Sequence, residues 1–194
     1  MPTLSLFDPT HVLDGADFSR DKQYRYRLWR SWNADEPLRS VLIVGLNPST
    51  ANANADVNDR TISKEITFAR QWGFNQLVKV NLFAAVTAHP QQLILKQDPI
   101  GGMKNDATIK VAAETAELVV GAWGGLPGGF KEKHRRSFDR RVATVLELIN
   151  RDVWCLGVTT DNHPKHTSRL AYDSLQQLFW SPDRPHLQGG ALWL

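Results

Sequence analysis

Val41-Leu42-Ile43-Val44-Gly45-Leu46-Asn47-Pro48-Ser49-Thr50 is the stretch that decides the fold. Four apolar residues without a polar interruption suit a strand covered on both faces, the pattern of a central parallel strand. Gly45 and Pro48 then stop it, one by permitting a sharp turn and the other by fixing φ. In open α/β sheets ligands bind beyond the carboxyl ends of the strands. The loop Leu46–Thr50 is therefore the first place to look for function.

Working outward, the chain alternates strand and helix. Asp59 is placed to cap a helix that runs to about Trp72, with Ile62, Ile66 and Ala69 on one stripe and Gly73 as its left-handed stop. Gln76–Phe83 is a second strand. Pro90 opens a short helix, Gln91–Lys96, and Lys104–Ala116 is a longer one with Asp106 near its start. Leu118–Trp123 is a third strand, Gly124–Gly129 a glycine-rich loop, and Lys131–Asn150 a long helix. Val153–Val158 is a fourth strand, Thr159–Ser168 a polar loop, and Leu170–Trp180 a last short helix. Strands separated by helices predict a three-layer α/β/α sandwich with a four-stranded parallel central sheet. Residues 41–194 are read as one globular unit, and residues 1–40 as an N-terminal extension packed on it. In that extension Tyr24-Arg25-Tyr26-Arg27-Leu28-Trp29 alternates ring or aliphatic with cation, as a half-buried strand does.

Composition narrows the function classes. With 194 residues, 42% hydrophobic and 22% charged, the chain suffices for one packed core. A single cysteine, Cys155, excludes an intrachain disulfide and the Cys clusters that hold zinc or iron–sulfur centres. It sits in an apolar run and reads as a small core residue. No segment approaches the roughly 20 apolar residues of a membrane span, and no basic leader precedes an apolar run. Cytoplasm is the default expectation, with no membrane partner. His163 and His166 are three apart but no third ligand has suitable spacing, so neither a metal nor another cofactor is expected. The net charge of +3 permits nucleic-acid binding without arguing for it.

The four strand ends carry different groups. Asn47 in the first either closes the turn through its own backbone or presents its amide to a water or ligand. The spacing around it matches neither a P-loop nor a dinucleotide fingerprint. Asn81 in the second sits among Val80, Leu82 and Phe83, and its amide complements one edge of a nucleobase. The alternative is a sheet-end bond to backbone. The third, Trp123-Gly124-Gly125, leads to Lys131, Lys133, Arg135, Arg136, Arg140 and Arg141, either a solvated helix face or a seat for phosphate. The fourth offers His163, Lys165, His166 and Arg169.

Tyr24–Leu28, Gly45–Thr50, Val80-Asn81-Leu82-Phe83-Ala84, Asn105-Asp106, Ala122-Trp123-Gly124 and Pro164-Lys165-His166 resemble, in order, the recurring pieces of a family of unknown function, domain of unknown function 1643. A more distant resemblance is to uracil-DNA glycosylases. Gly45-Leu46-Asn47-Pro48 looks like their first-strand loop in its Asn form, Asn81 like the Asn that reads the base, and Trp123-Gly124 like their third strand end. His166 resembles the His of their last loop, with His163-Pro164 the alternative register. Thr167 stands where that family has Pro after His166, and Lys165 where it has Ser after His163-Pro164.

The resemblance implies an enzyme that hydrolyses an N-glycosidic bond of a flipped, damaged or modified base in DNA or another nucleic acid. It gives Asn81 the base edge and Asn47 the attacking water, which an amide positions but does not deprotonate. His166 would face the developing negative charge or a flanking phosphate. Leu46, Pro48, Ser49, Thr50, Phe83, Trp123, Gly124 and His163 would complete the substrate pocket, and Lys131, Lys133, Arg135, Lys165 and Arg169 would meet phosphates. Trp72, Phe74 or Phe83 would stack on the base if not in the core. A carboxylate for the base role would come from Asp56, Asp59 or Asp106, each otherwise a cap or a solvated acid. The competing readings are a non-catalytic nucleotide or nucleic-acid binding module and a hydrolase of small nucleosides or nucleotides.

Overall fold

A strand buried on both faces needs paired neighbours on both edges and cover above and below. Ser40–Gly45 (β3) has all of these in the computed structural model, which describes residues 14–33, 36–49, 58–128, 130–174 and 176–184. Its parallel neighbours are Gln76–Asn81 (β4) and Leu118–Gly121 (β5). Its side chains alternate between two cores. Val41 and Ile43 pack with Ile62 and Ala69 of α1, Arg60–Gln71. Leu42 and Val44 join a larger cluster with Ile109 and Ala112 of α2 (Gly102–Thr115) and with Phe138, Val145 and Leu146 of α3 (Glu132–Ile149).

The expected four-stranded parallel sheet is corrected by the pairing. The sheet has seven strands in the order β1-β2-β4-β3-β5-β6-β7 and is mixed. Asp14–Phe18 (β1) and Arg25–Ser31 (β2) form an antiparallel pair, and β2 continues antiparallel along β4, with Leu28 opposite Lys79. The segment expected as an extension lying on the sheet thus supplies two of its strands. At the other side Val153–Cys155 (β6) pairs parallel with β5. Gln177–Trp180 (β7) runs antiparallel to β6, where a helix over Leu170–Trp180 was expected. The physical reason is common to both edges. An uncovered strand edge leaves its N–H and C=O groups unpaired, and a short aromatic segment that fits a pleated face takes them up. The sandwich implied by the glycosylase resemblance therefore does not describe this mixed sheet.

Local signals placed the helices around β3. Asp59 is the N-cap of α1 and accepts the Ile62 N–H at 2.8 Å, while Gly73 takes a φ of 80° beyond its end. Asp106 is not a cap: α2 starts from Gly101, and Asp106 instead meets Arg141 of α3 at 2.7 Å. The Pro90–Leu95 segment is a 3-10 helix. Among the described residues no helix is long and apolar enough to cross a membrane.

Candidate functional site at the carboxyl ends of β3 and β4

The parallel register puts Gly45 opposite Asn81. Pairing continues past both strands, with Leu82 N–H donating to Gly45 O and Phe83 N–H to Leu46 O, each at 2.9 Å. A Cβ at Gly45 would stand 2.8 Å from Asn81 Oδ1 and 3.0 Å from Lys79 Cε. Glycine at this point is what lets both long polar side chains cross the strand end. They enter a cavity of about 80 Å³ that is also lined by Arg25, Leu46, Asn47, Ser49, Asp59, Thr61 and His166.

Each group reaches the cavity in a defined state. Asn47 donates both amide hydrogens to backbone, to Pro48 O at 2.9 Å and Thr87 O at 2.8 Å. Its Oδ1 is then the atom left for a ligand, so Asn47 offers an acceptor only. Asp59 holds its helix cap with Oδ1 and accepts from Ser49 Oγ at 3.2 Å with Oδ2. Asn81 is 1% exposed, and neither its Oδ1 nor its Nδ2 has a partner among the described residues. Its backbone carbonyl is held from behind by Asn105 Nδ2 at 3.2 Å, and Arg141 Nε donates to the next carbonyl, Leu82 O, at 2.7 Å.

Under the cavity, Lys79 Nζ pairs with Glu65 Oε1, which also accepts from Thr167 Oγ1 at 2.8 Å. That bond fixes the turn Thr167–Arg169, whose cap is His166. His166 Nδ1 accepts the Ser168 N–H at 3.2 Å, which leaves the proton of a neutral ring on Nε2. Burial, helped by the Lys79 charge, holds its pKa below the ordinary histidine value. His166 is thus a neutral donor at neutral pH. Burial pushes the Arg25 guanidinium down to about 10, with Asp59 and Glu65 acting the other way.

Leu46 and His166 also line a second, larger groove of about 720 Å³, together with Gly124, Lys165 and Arg169. Gly124 has a φ of 77° and packs its Cα side against His166, where a Cβ would meet the His166 Cβ at 3.6 Å. The pocket and the groove bring together Asn47, Asn81, His166, Leu46, Ser49, Gly124, Lys165 and Arg169. Pro48 is buried beneath them, its carbonyl accepting from Thr87 N–H at 3.0 Å. Thr50 and Asp56 lie outside the described residues.

Other expected residues stand elsewhere. His163 is fully buried, its Nδ1 3.4 Å from Trp123 Nε1 and its Nε2 3.3 Å from Asp139 Oδ1. Trp123 is itself buried against Phe179, edge to face. Both are buried in the interior, and of the two histidines it is His166 that lines the cavity. Phe83 lines a separate apolar cavity of about 250 Å³ with Phe138. Phe74 is buried, and Trp72 packs on Phe68. Lys131 and Lys133 are exposed near the start of α3, and Arg135 lies 3.9 Å from Asp161; none of them lines these cavities.

Sequence reasoning passed over Arg25, Lys79 and Glu65. A usable signal was present: Arg25 between Tyr24 and Tyr26, and Lys79 between Val78 and Val80, put cations inside strand patterns, where a charge is costly unless it serves a site or a partner. Among the described residues no three His, Cys, Asp or Glu side chains gather so as to hold a metal ion.

A family profile described as Protein of unknown function (DUF1643) matches residues 25–167. The chain belongs to this family. The span that marks DUF1643 membership opens on Arg25 and closes on Thr167, so it contains every described residue of the polar cavity and the threonine that anchors its floor. No curated protein and no solved structure matches the chain.

Proposed function

We propose that the cavity receives a nucleobase and that the protein hydrolyses the N-glycosidic bond joining that base to a nucleic acid. The observation that carries this reading is the convergence of Asn47, Asp59, Asn81 and His166 on one pocket, which shares Leu46 and His166 with a groove lined by Lys165 and Arg169. The resemblance to uracil-DNA glycosylases supplied three of these residues. Asp59 supplies the carboxylate that an amide could not replace.

In this reading Asn81 pairs with the edge of a flipped base. Asn47 Oδ1 accepts a hydrogen from a water and so orients it. The water oxygen bonds to the anomeric carbon, its proton passes to Asp59, and the C–N bonding pair leaves with the base. His166 Nε2–H faces the negative charge that develops there, a preorganised donor in a site of restricted water. The base anion is reprotonated from solvent. Lys165 and Arg169 meet the backbone phosphates.

The test is chromatographic detection of free base from single- and double-stranded oligonucleotides carrying uracil, hypoxanthine or xanthine. Release that disappears in Asp59→Asn and Asn47→Ala is expected. Absence of release from every strand by the wild-type protein removes the enzymatic reading.

One observation favours a second reading, a binding module without turnover. Both oxygens of Asp59 already accept hydrogen bonds, from Ile62 N–H and Ser49 Oγ. Retention of a base-modified strand without release separates this reading from the first.

A further inference from the structure

Arg25 is a buried cation that the chemistry above does not use. It is 2% exposed, lines the same cavity as Asn81, and its Nε and Nη1 have no partner among the described residues. Nη2 shares one edge of the planar guanidinium with Nε and another with Nη1, so either of those donors together with Nη2 makes a rigid fork that matches two acceptors on one edge. Buried donors without partners are costly, and a ligand that pairs them removes the cost.

Net charge decides what kind of acceptors these are. Lys79 is paired with Glu65, and Arg25 faces Asp59 across the same pocket, so the four charges cancel. His166 is neutral. With no net charge among its described residues, the site does not favour a phosphate dianion. Neutral ring acceptors fit it.

The donor and acceptor order then narrows the ring. Asn81 has one donor and one acceptor side by side, the complement of a lactam, C=O next to N–H. Arg25 needs two acceptors. A 6-oxopurine offers N1–H, O6 and N7 in a row along one side. Asn81 takes N1–H and O6, and Arg25 takes O6 and N7, the same pair that arginine reads on guanine. Uracil satisfies Asn81 equally but carries C5–H where the purine has N7. Adenine turns an amino donor toward the guanidinium.

We infer that Arg25 makes this pocket selective for 6-oxopurines, the class of hypoxanthine, guanine and xanthine, over uracil. The inference rests on the base-binding half of the proposed function and not on turnover.

The experiment measures binding of free hypoxanthine, 7-deazahypoxanthine and uracil to the full chain by ligand-observed NMR titration. Hypoxanthine is expected to bind about tenfold or more tightly than either competitor. Arg25→Gln should bring hypoxanthine down to the level of its 7-deaza analogue and leave uracil unchanged. Arg25→Lys should do the same, because an ammonium keeps the charge and loses the fork. Equal binding of hypoxanthine and 7-deazahypoxanthine by the wild-type protein overturns the inference, and that comparison needs no variant to fold. So does the absence of base binding, or release of uracil but not hypoxanthine from oligonucleotides, which would leave the enzymatic reading standing. A hypoxanthine preference without release from any strand supports the inference and removes catalysis alone.

Discussion

Asn47 gives both amide hydrogens to carbonyls, Pro48 O and Thr87 O. That geometry bears on the obvious thought that an aspartate there would make a better catalyst. Asn47→Asp replaces two donors by a carboxylate oxygen facing two carbonyl oxygens, leaving both without their hydrogen bonds. It is expected to lower stability by about 2 kcal/mol and to lower base release as well, as read by urea unfolding and the oligonucleotide assay. A gain of activity in Asn47→Asp would show that the loop reorients to use the new carboxylate. His163 makes a different point about a single residue. Burial holds its pKa down to about 4 against an ordinary 6.5. The unfolded chain therefore binds this proton first as pH falls. The stability of the neutral, buried ring is fully present above about pH 6.5 and is lost progressively toward pH 4, by about 3 kcal/mol at the low end. Urea unfolding at pH 7 and pH 4.5 should show the loss in the wild-type protein and a smaller one in His163→Gln.

Where two strands end side by side, the element matters more than its members. Gly45 faces Asn81 in register, and a methyl group at Gly45 would press on the Asn81 amide and the Lys79 stem. Gly45→Ala should cost about 1–3 kcal/mol by overpacking and weaken hypoxanthine binding more than it lowers the melting temperature would suggest, because the displaced side chains are the ligand's partners. The loops flanking the groove give a second comparison. Lys165→Ala or Arg169→Ala should each reduce the salt dependence of oligonucleotide binding by about one ion, whereas Lys131→Ala and Lys133→Ala, outside the groove, should leave it unchanged. These elements differ in how far the sequence announced them. β3 and α1 were legible because an apolar run, a capping Asp59 and a stopping Gly73 are local signals. Asn47, Asn81 and His166 were legible because strand ends in an α/β sheet share one side. β7 was not, since Gln177-Leu178-Phe179-Trp180 takes its conformation from the free edge of β6, a partner more than 20 residues away along the chain. Arg25 was missed for the same reason: its strand was recognised, but only pairing of β2 beside β4 brings it to the pocket.

At the scale of the whole molecule, one buried network ties distant parts of the chain to the site. Glu65 of α1, fully buried, receives Lys79 from β4 and Thr167 from the turn that carries His166. Thr167 is 102 positions from Glu65, so this contact links the early and late halves of the fold. Removing one member strands another: Glu65→Gln leaves Lys79 as a buried charge without its counter-ion and should destabilise the protein by about 3–5 kcal/mol. Replacing the pair by apolar residues of similar size, Glu65→Leu with Lys79→Met, removes both desolvation penalties and should recover most of that loss. Function should not follow stability. Without the Glu65 carboxylate the Thr167 hydroxyl loses its anchor, His166 loses its fixed place at the cavity, and the charge balance that favours a neutral ring is made by Arg25 and Asp59 alone. Urea unfolding and hypoxanthine titration on the single and double variants separate the two effects. Recovered stability with lost binding is the expected pattern, and binding restored by the double variant would show that the ion pair holds the sheet together without shaping the site.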